Sequence, residues 1–329
     1  MKAITHQRYG GPDVLAFDTV PLPRPAPDEV LVEVRASGVN RGDALELRGW
    51  PYLARLMGYG ATRPRRPVPG TDIAGTVIAT GSAVETFDID DEVVGWATSG
   101  AFAEYTTAAA TSLVPKPATL TYEQAAGLPT AAVAALQAVR DAASASPGLE
   151  VLVVGASGGV GAFAVQIAAA YGARVTGVSS GRNAELVTSL GAAGIIDYAS
   201  EDFTSHRGRY DAIIDLVGNQ PLRHVRRALT GKGCLVVVGG QNPQSLTGMR
   251  RFASAAAMSP FVSQRLVPLF SKPEPDDLAT VVELAATGKV RPVIDRTFDL
   301  TDAADAVAHV ETGRSRGKVV IATGQGGVR

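Results

Sequence analysis

Val151-Leu152-Val153-Val154-Gly155-Ala156-Ser157-Gly158-Gly159-Val160-Gly161, followed by Ala162-Phe163-Ala164-Val165-Gln166-Ile167-Ala168, decides the fold. The apolar, β-branched run reads as a buried strand, the glycines as a tight turn, and the alanine-rich stretch as a helix. Strand, turn and helix in this order let backbone approach a pyrophosphate, which the free N–H groups and positive end of the helix favour. Gly158 and Gly161 hold the second and third glycine positions of the dinucleotide fingerprint, and Ala156 replaces the first. Gly155, Ser157, Gly158, Gly159, Val160 and Gly161 are therefore candidate cofactor contacts. A nucleoside-triphosphatase loop needs lysine and then serine or threonine after its last glycine, whereas Ala162-Phe163 follow here. None of the eight tyrosines has the lysine four residues on that a short-chain reductase needs.

Outward from that run, apolar strands are expected at 150–155, 173–178, 194–198, 210–217 and 233–239, with helical sequence in the longer gaps. This predicts a doubly wound parallel sheet, an α/β fold. The first third reads instead as β-structure with one wet face, as in Glu29-Val30-Leu31-Val32-Glu33-Val34-Arg35-Ala36, punctuated by proline clusters such as Pro21-Leu22-Pro23-Arg24-Pro25. The pattern changes after Pro115-Lys116-Pro117, which predicts a domain boundary near residues 120–125. Beyond the sheet lie a less regular stretch, 241–264, and a short apolar run, 265–270. A helix, a strand-like segment at 293–300, a second helix and Lys318-Val319-Val320-Ile321 complete the chain.

At 329 residues the chain exceeds the size at which one core stops growing, so two domains are expected. An apolar fraction of 46% and a charged fraction of 19% place it among globular proteins rather than disordered ones. A net charge of -1 gives no long-range field for nucleic acid or an anionic membrane, which leaves a small molecule held by local contacts. The lone Cys234 precludes an internal disulfide, and the start, Met1-Lys2-Ala3-Ile4-Thr5-His6-Gln7, has no apolar leader. A cytoplasmic location is the expectation. The longest weakly polar stretch, 125–139, is interrupted by Gly127, Pro129, Thr130 and Gln137, so no membrane span is expected.

About 20 residues past the glycines, where an NAD site usually carries an acid for the ribose, the sequence reads Gly177-Val178-Ser179-Ser180-Gly181-Arg182-Asn183. No acid stands there. Ser179, Ser180 and Arg182 suit a 2′-phosphate, because a guanidinium makes charge-assisted, bidentate bonds to it. NADPH is the expected cofactor. The same residues also read as a plain loop in which Ser180 or Asn183 caps the next helix.

With these residues in place, the chain resembles the zinc-free quinone oxidoreductase-like family of the medium-chain dehydrogenase/reductase superfamily over essentially its full length. The resemblance rests on ordered matches. They include Val39-Asn40-Arg41-Gly42-Asp43, Pro69-Gly70-Thr71-Asp72-Ile73-Ala74-Gly75, Asp91-Glu92-Val93-Val94-Gly95, Gly100-Ala101-Phe102-Ala103-Glu104-Tyr105 and the glycine run. Farther along are Leu190-Gly191-Ala192, Ile196-Asp197-Tyr198, Asp215-Leu216-Val217-Gly218, Pro292-Val293-Ile294-Asp295-Arg296 and Arg316-Gly317-Lys318-Val319-Val320. It implies a GroES-like, mostly β substrate domain from 1–124 and 272–329, with a Rossmann NADPH-binding domain, 125–271, inserted between. It further implies that Tyr198 packs at the adenosine end, that Val217 and Gly239 line the nicotinamide side, and that Lys318 lies near the phosphates. Tyr198 reads equally as a strand-end aromatic and Lys318 as a solvated charge. The run Leu266-Val267-Pro268-Leu269-Phe270 resembles the edge strand through which relatives form a homodimer, although Pro268 limits regular pairing.

Zinc-dependent relatives carry a cysteine where this chain has Asn40 and a glycine-histidine-glutamate run where it has Gly70-Thr71-Asp72. His6, His206, His224 and His309 are scattered, each expected at the surface or in a cap, and no metal site is predicted. Without a Lewis acid, conjugated acceptors are the expected substrates, because hydride adds to carbon while charge spreads to an oxygen that hydrogen-bond donors can hold. The expected activity is NADPH-dependent reduction of a quinone or α,β-unsaturated carbonyl. The alternatives are a tailoring enoyl reductase on a larger metabolite and a non-catalytic NADPH-binding structural or sensor protein.

Asn40 and Asp43 match the family's residues beside the nicotinamide, and both also suit a turn. Leu45 stands where the family often has a tyrosine, and Tyr52, within Arg48-Gly49-Trp50-Pro51-Tyr52, is the nearby candidate proton donor. Tyr52 also reads as part of a packing cluster with Trp50, Leu56 and Met57. Ala134 takes the place of a cofactor-facing threonine. Arg63, Arg65 and Arg66, like Arg250-Arg251, read as solvated charge, with an acidic substrate or a coenzyme A phosphate as the alternative partner. The stretch 241–264 is a candidate pocket wall or lid.

Overall fold

The computed structural model describes residues 1–52, 55–238 and 249–323. Its contacts divide the chain into two compact units, one of Met1–Ala131, Pro273–Thr287 and Pro292–Arg329, the other of Ala132–Lys272 and Gly288–Arg291.

The first unit is built on β-strands. β1 (Lys2–Thr5) and β2 (Ala16–Thr19) form a hairpin-like antiparallel pair. β3 (Glu29–Val39), β4 (Asp72–Thr80), β5 (Glu92–Trp96), β6 (Tyr105–Ala109) and β7 (Leu113–Pro115) make up most of a larger sheet. Val30, Val32 and Val34 turn into its core while Glu33 and Arg35 face outward, as their alternation in sequence requires. β3 runs into α1 (Arg41–Leu47) through Asn40, which closes a capping box with Asp43.

The second unit carries the parallel sheet. β8 (Glu150–Val154), β9 (Arg174–Ser179), β10 (Gly194–Asp197), β11 (Tyr210–Asp215), β12 (Leu229–Val237) and β13 (Arg265–Pro268) lie in the order β10-β9-β8-β11-β12-β13. Every pairing is parallel. Order therefore reverses between β8 and β11, and ligands of such sheets bind at the strand C-termini beside that switch. Val151, Leu152, Val153, Ile213 and Ile214 are fully buried, the reason these strands read as unbroken apolar runs. α2 (Gly159–Ala170) follows β8, and α3 (Ala184–Ser189) follows β9.

The stretch expected to be irregular, 241–264, contains α4 (Arg250–Met258), whose Phe252 and Ala255 are buried. Residues 241–248 of that stretch, and Gly239, lie outside the described residues. The chain then returns to the first unit: β14 (Ile294–Asp299) pairs with β15 (Lys318–Ala322), and β15 runs antiparallel to β3. No helix among the described residues is long and apolar enough to cross a membrane.

Candidate functional site

In the second unit, Gly155 leaves β8 with φ +87, and its N–H, like that of Ala156, donates to the Val178 carbonyl of β9. Gly158 caps α2. A Cβ on Gly161 would lie 2.0 Å from the Gly155 carbonyl oxygen, so this glycine permits helix and strand to touch. A Cβ on Gly158 would meet only that same oxygen, at 3.4 Å, which leaves open space before the loop. Ser157, Gly158, Gly159 and Val160 are half-buried, and the first N–H groups of α2 have no intrahelical acceptor. Backbone donors over a surface free of side chains fit a pyrophosphate.

Ser179 ends β9 and Ser180 follows it. Ser179 is 2% exposed and its hydroxyl donates to the Ser180 carbonyl at 3.2 Å, so of the two serines Ser180 faces solvent more. Arg182 is exposed. Neither Ser180 nor Asn183 caps a helix with its side chain. Asn183 instead donates to the Ser157 hydroxyl at 2.9 Å, tying the β9 turn to the glycine loop. Tyr198 is 65% exposed, and its N–H donates to the Ser179 carbonyl at 3.2 Å, which brings it beside the same turn.

Val217 touches the glycine run, for a Cβ on Gly155 would sit 2.8 Å from its Cγ2. The Val217–Gly218 turn is held by Asp215, whose Oδ1 accepts from both N–H groups at 3.2 and 2.8 Å. The other Asp215 oxygen pairs with Arg251, which also donates to the Gln220 carbonyl at 2.6 Å. Arg251 is thus no solvated charge: its side chain is 10% exposed and clamps this turn.

The first unit holds a separate polar network. Asp72 is fully buried and accepts from Asn40 Nδ2 at 2.9 Å, from Thr130 N at 3.2 Å and from Thr130 Oγ1 at 2.5 Å. Lys318 donates to Asn40 Oδ1 and, at 3.2 Å, to the Val39 carbonyl. The lysine is 3% exposed, so it is not solvated, and its ammonium belongs to Asn40 and its neighbours. Asp43, also buried, accepts from the Asn40 N–H at 2.7 Å. Burial pushes the Asp43 carboxyl up to about 8, with the Asp72 charge acting in the same direction. Burial raises Asp72 too, but Lys318, Thr130 and Asn40 oppose it; burial lowers Lys318 and the two carboxylates oppose that. One ammonium balances one carboxylate. Asp72, which accepts from Asn40, Thr130 and, at 3.5 Å, the Thr71 hydroxyl, is the better anion, and Asp43 is the carboxyl that keeps its proton at neutral pH.

The amide of Asn40 is thereby fixed in orientation, with its oxygen on an ammonium and its nitrogen on a carboxylate. The structure brings Asn40, Asp43 and Lys318 together. Tyr52 is not part of this network: it is 48% exposed, with the Arg55 guanidinium 4.8 Å from its ring centroid. His6, expected at the surface, is buried beside Asp43, Glu46 and Arg66 around a small pocket. Asp72 stands in the family match at 69–75 but has no expected role in the site, and Thr130 reads in the sequence only as a polar break in an apolar stretch. Among the described residues no group of three or more His, Cys, Asp or Glu is placed to hold a metal.

The Alcohol dehydrogenase GroES-like domain model matches residues 26–118, and the Zinc-binding dehydrogenase model matches residues 190–321. The chain is 31% identical to the chloroplast envelope quinone oxidoreductase homolog of Arabidopsis thaliana over 98% of each chain. It is 34% identical to the NADPH-dependent alkenal/one oxidoreductase, chloroplastic, of the same plant, covering 98% of this chain and 79% of that one. The structure of the quinone oxidoreductase from Coxiella burnetii matches with a TM-score of 0.87 and 32% identity, covering 98% of this chain and 99% of that one.

A parallel dinucleotide-binding sheet with a GroES-like β unit defines an oxidoreductase of the medium-chain dehydrogenase/reductase superfamily. Within it, this chain belongs to the quinone oxidoreductase family.

Proposed function

We propose that the protein reduces a quinone or an α,β-unsaturated carbonyl with hydride from NADPH and without a catalytic metal. The observation that carries the reading is the Lys318–Asn40–Asp72 network, in which an ammonium occupies the side-chain cluster where zinc-dependent relatives supply ligands. A cation already balances the buried carboxylate. The relatives named as a quinone oxidoreductase homolog and an NADPH-dependent alkenal/one oxidoreductase support the same substrate class.

NADPH supplies the hydride, and the chain supplies positions and charges. Gly155, Ser157, Gly158, Gly159, Val160 and Gly161 offer backbone N–H groups and clearance to the pyrophosphate. Ser180 and Arg182 face the 2′-phosphate, Tyr198 flanks the adenosine end, and Val217 lines the nicotinamide side. Ser179 supports that turn through Ser180. Asn40, fixed by Lys318 and Asp72, keeps a second amide hydrogen and lone pair for orienting a reactant. Asp43 fixes the Asn40 backbone. Tyr52, an exposed phenol on the same unit, is the candidate proton source.

Two further parts of the reading concern setting. β13 is the last strand of its sheet, with Phe261 and Phe270 exposed near it, which supports pairing with a second copy as a homodimer. Light scattering giving twice the mass of one chain is the expected result, and a monomer at micromolar concentration rejects it. The second part is a cytoplasmic location; recovery of the full-length protein from an organelle or membrane fraction rejects it.

The test of the function is NADPH consumption, followed by absorbance, with a panel of quinones, enones and alkenals. Turnover with conjugated acceptors is expected; none with any of them rejects the proposal.

A further inference from the structure

The end of β9 has no acid, but the structure brings one to it from the neighbouring strand. β9 and β10 pair in parallel with Asp197 opposite Ser179, so the last residue of β10 stands beside the turn formed by Ser180, Gly181 and Arg182. Its carboxylate points at that turn: a Cβ on Gly181 would lie 2.6 Å from Asp197 Oδ2. The side chain is held there. Oδ1 accepts from the Ala199 N–H at 3.0 Å, and the Asp197 carbonyl accepts from the N–H groups of Ser200 and Glu201. Among the described residues Oδ2 accepts no hydrogen bond and Asp197 pairs with no cation; Arg182, at the same turn, is exposed and forms no ion pair.

We propose that Asp197 is a cofactor-selectivity residue, which accepts a bond from the ribose 2′-hydroxyl of NADH and opposes the 2′-phosphate that Arg182 attracts. The inference rests on the reading of this turn as the adenosine-ribose site. A ribose bound at the end of the second strand of such a sheet presents its 2′ substituent there. A carboxylate acceptor suits a hydroxyl, whereas a phosphate monoester brings a further charge of about −1.5 to −2 against it. The guanidinium and the carboxylate therefore pull selectivity in opposite directions. Wild-type protein takes both cofactors with a muted preference for NADPH.

Asp197→Asn tests this directly, because asparagine keeps the size and the Oδ1 acceptor for Ala199 while removing the charge. NADPH and NADH affinities are measured by calorimetry on the full chain, for wild type, Asp197→Asn and Arg182→Ala, each first shown to have wild-type thermal unfolding. Asp197→Asn is expected to shift the affinity ratio about tenfold toward NADPH, more at low salt than at high. Arg182→Ala shifts it the other way. An unchanged ratio in Asp197→Asn, or a shift toward NADH, with Arg182→Ala still discriminating, overturns the role of Asp197 alone. Equal losses for both cofactors in Arg182→Ala, or no binding of either by wild type, overturn the site reading and this role with it.

Discussion

Asp43 and Asp72 are both buried and both feel one ammonium, that of Lys318, while Asn40 and Thr130 of the same cluster are half-buried. The proton on Asp43 makes a prediction about pH. In the unfolded chain the side chain releases its proton near 4; in the folded chain it does so at about 8. Between those values the native state holds the extra proton, so raising the pH favours unfolding across that window and then ceases to. Asp43→Asn mimics the protonated acid and keeps an acceptor for the Asn40 N–H. Its urea-unfolding free energy is expected to lie within about 1 kcal/mol of wild type near pH 6 and to change less between pH 5 and 8. An unchanged slope contradicts the assignment. Lys318→Met strands a buried carboxylate and is expected to cost about 3–5 kcal/mol in the same measurement. Among the glycines, Gly161→Ala places a methyl 2.0 Å from a carbonyl oxygen that is itself backbone, whereas Gly158→Ala meets that oxygen at 3.4 Å. The first variant is expected to lose folded yield, and the second to stay folded and lose dinucleotide affinity. Thermal scans with and without NADPH distinguish them.

At the scale of elements, α4 was the least legible. Its nine residues hold two large apolar side chains, Phe252 and Met258, among alanines, serine and two arginines, and so short a stretch gives little periodicity to read. What fixes it is tertiary: Phe252 stacks on Phe270 at 4.7 Å between ring centroids, and Arg251 reaches the buried Asp215. Phe252→Ala is expected to cost about 3–5 kcal/mol, read by urea unfolding, and a loss under about 1 kcal/mol contradicts the packing described. The strands of the parallel sheet were legible for the opposite reason. Buried on both faces, β8 and the later parts of β11 (212–214) and β12 (234–237) are short runs of mostly Val, Ile and Leu, a pattern that local windows suffice to detect. Their ends are set by the turns: β11 stops at Asp215, whose carboxylate accepts from the N–H groups of Val217 and Gly218.

Across the whole molecule, what the sequence conveys depends on how far apart the cooperating residues lie. The glycine run is local, and the strand, turn and helix read from it are found in that order. The Asn40 network joins residues 278 positions apart in Lys318 and Asn40 and 58 apart in Asp72 and Thr130, so no spacing rule reveals it. Lys318 accordingly read as a surface or phosphate-side charge. Asp197 was hidden in the same way, because the acid arrives from the next strand rather than the expected one. The family resemblance bridged part of this gap by marking Asn40 and Asp43 as a pair. It did not convey their chemistry, which follows from burial and charge balance. The central claim is that these residues serve a reductase with no metal, and steady-state NADPH oxidation with a conjugated acceptor, in the presence of a strong chelator or of added zinc, tests it most directly. Turnover equal under both conditions, with none for a saturated ketone, is the predicted result; turnover abolished by the chelator and restored by zinc contradicts it.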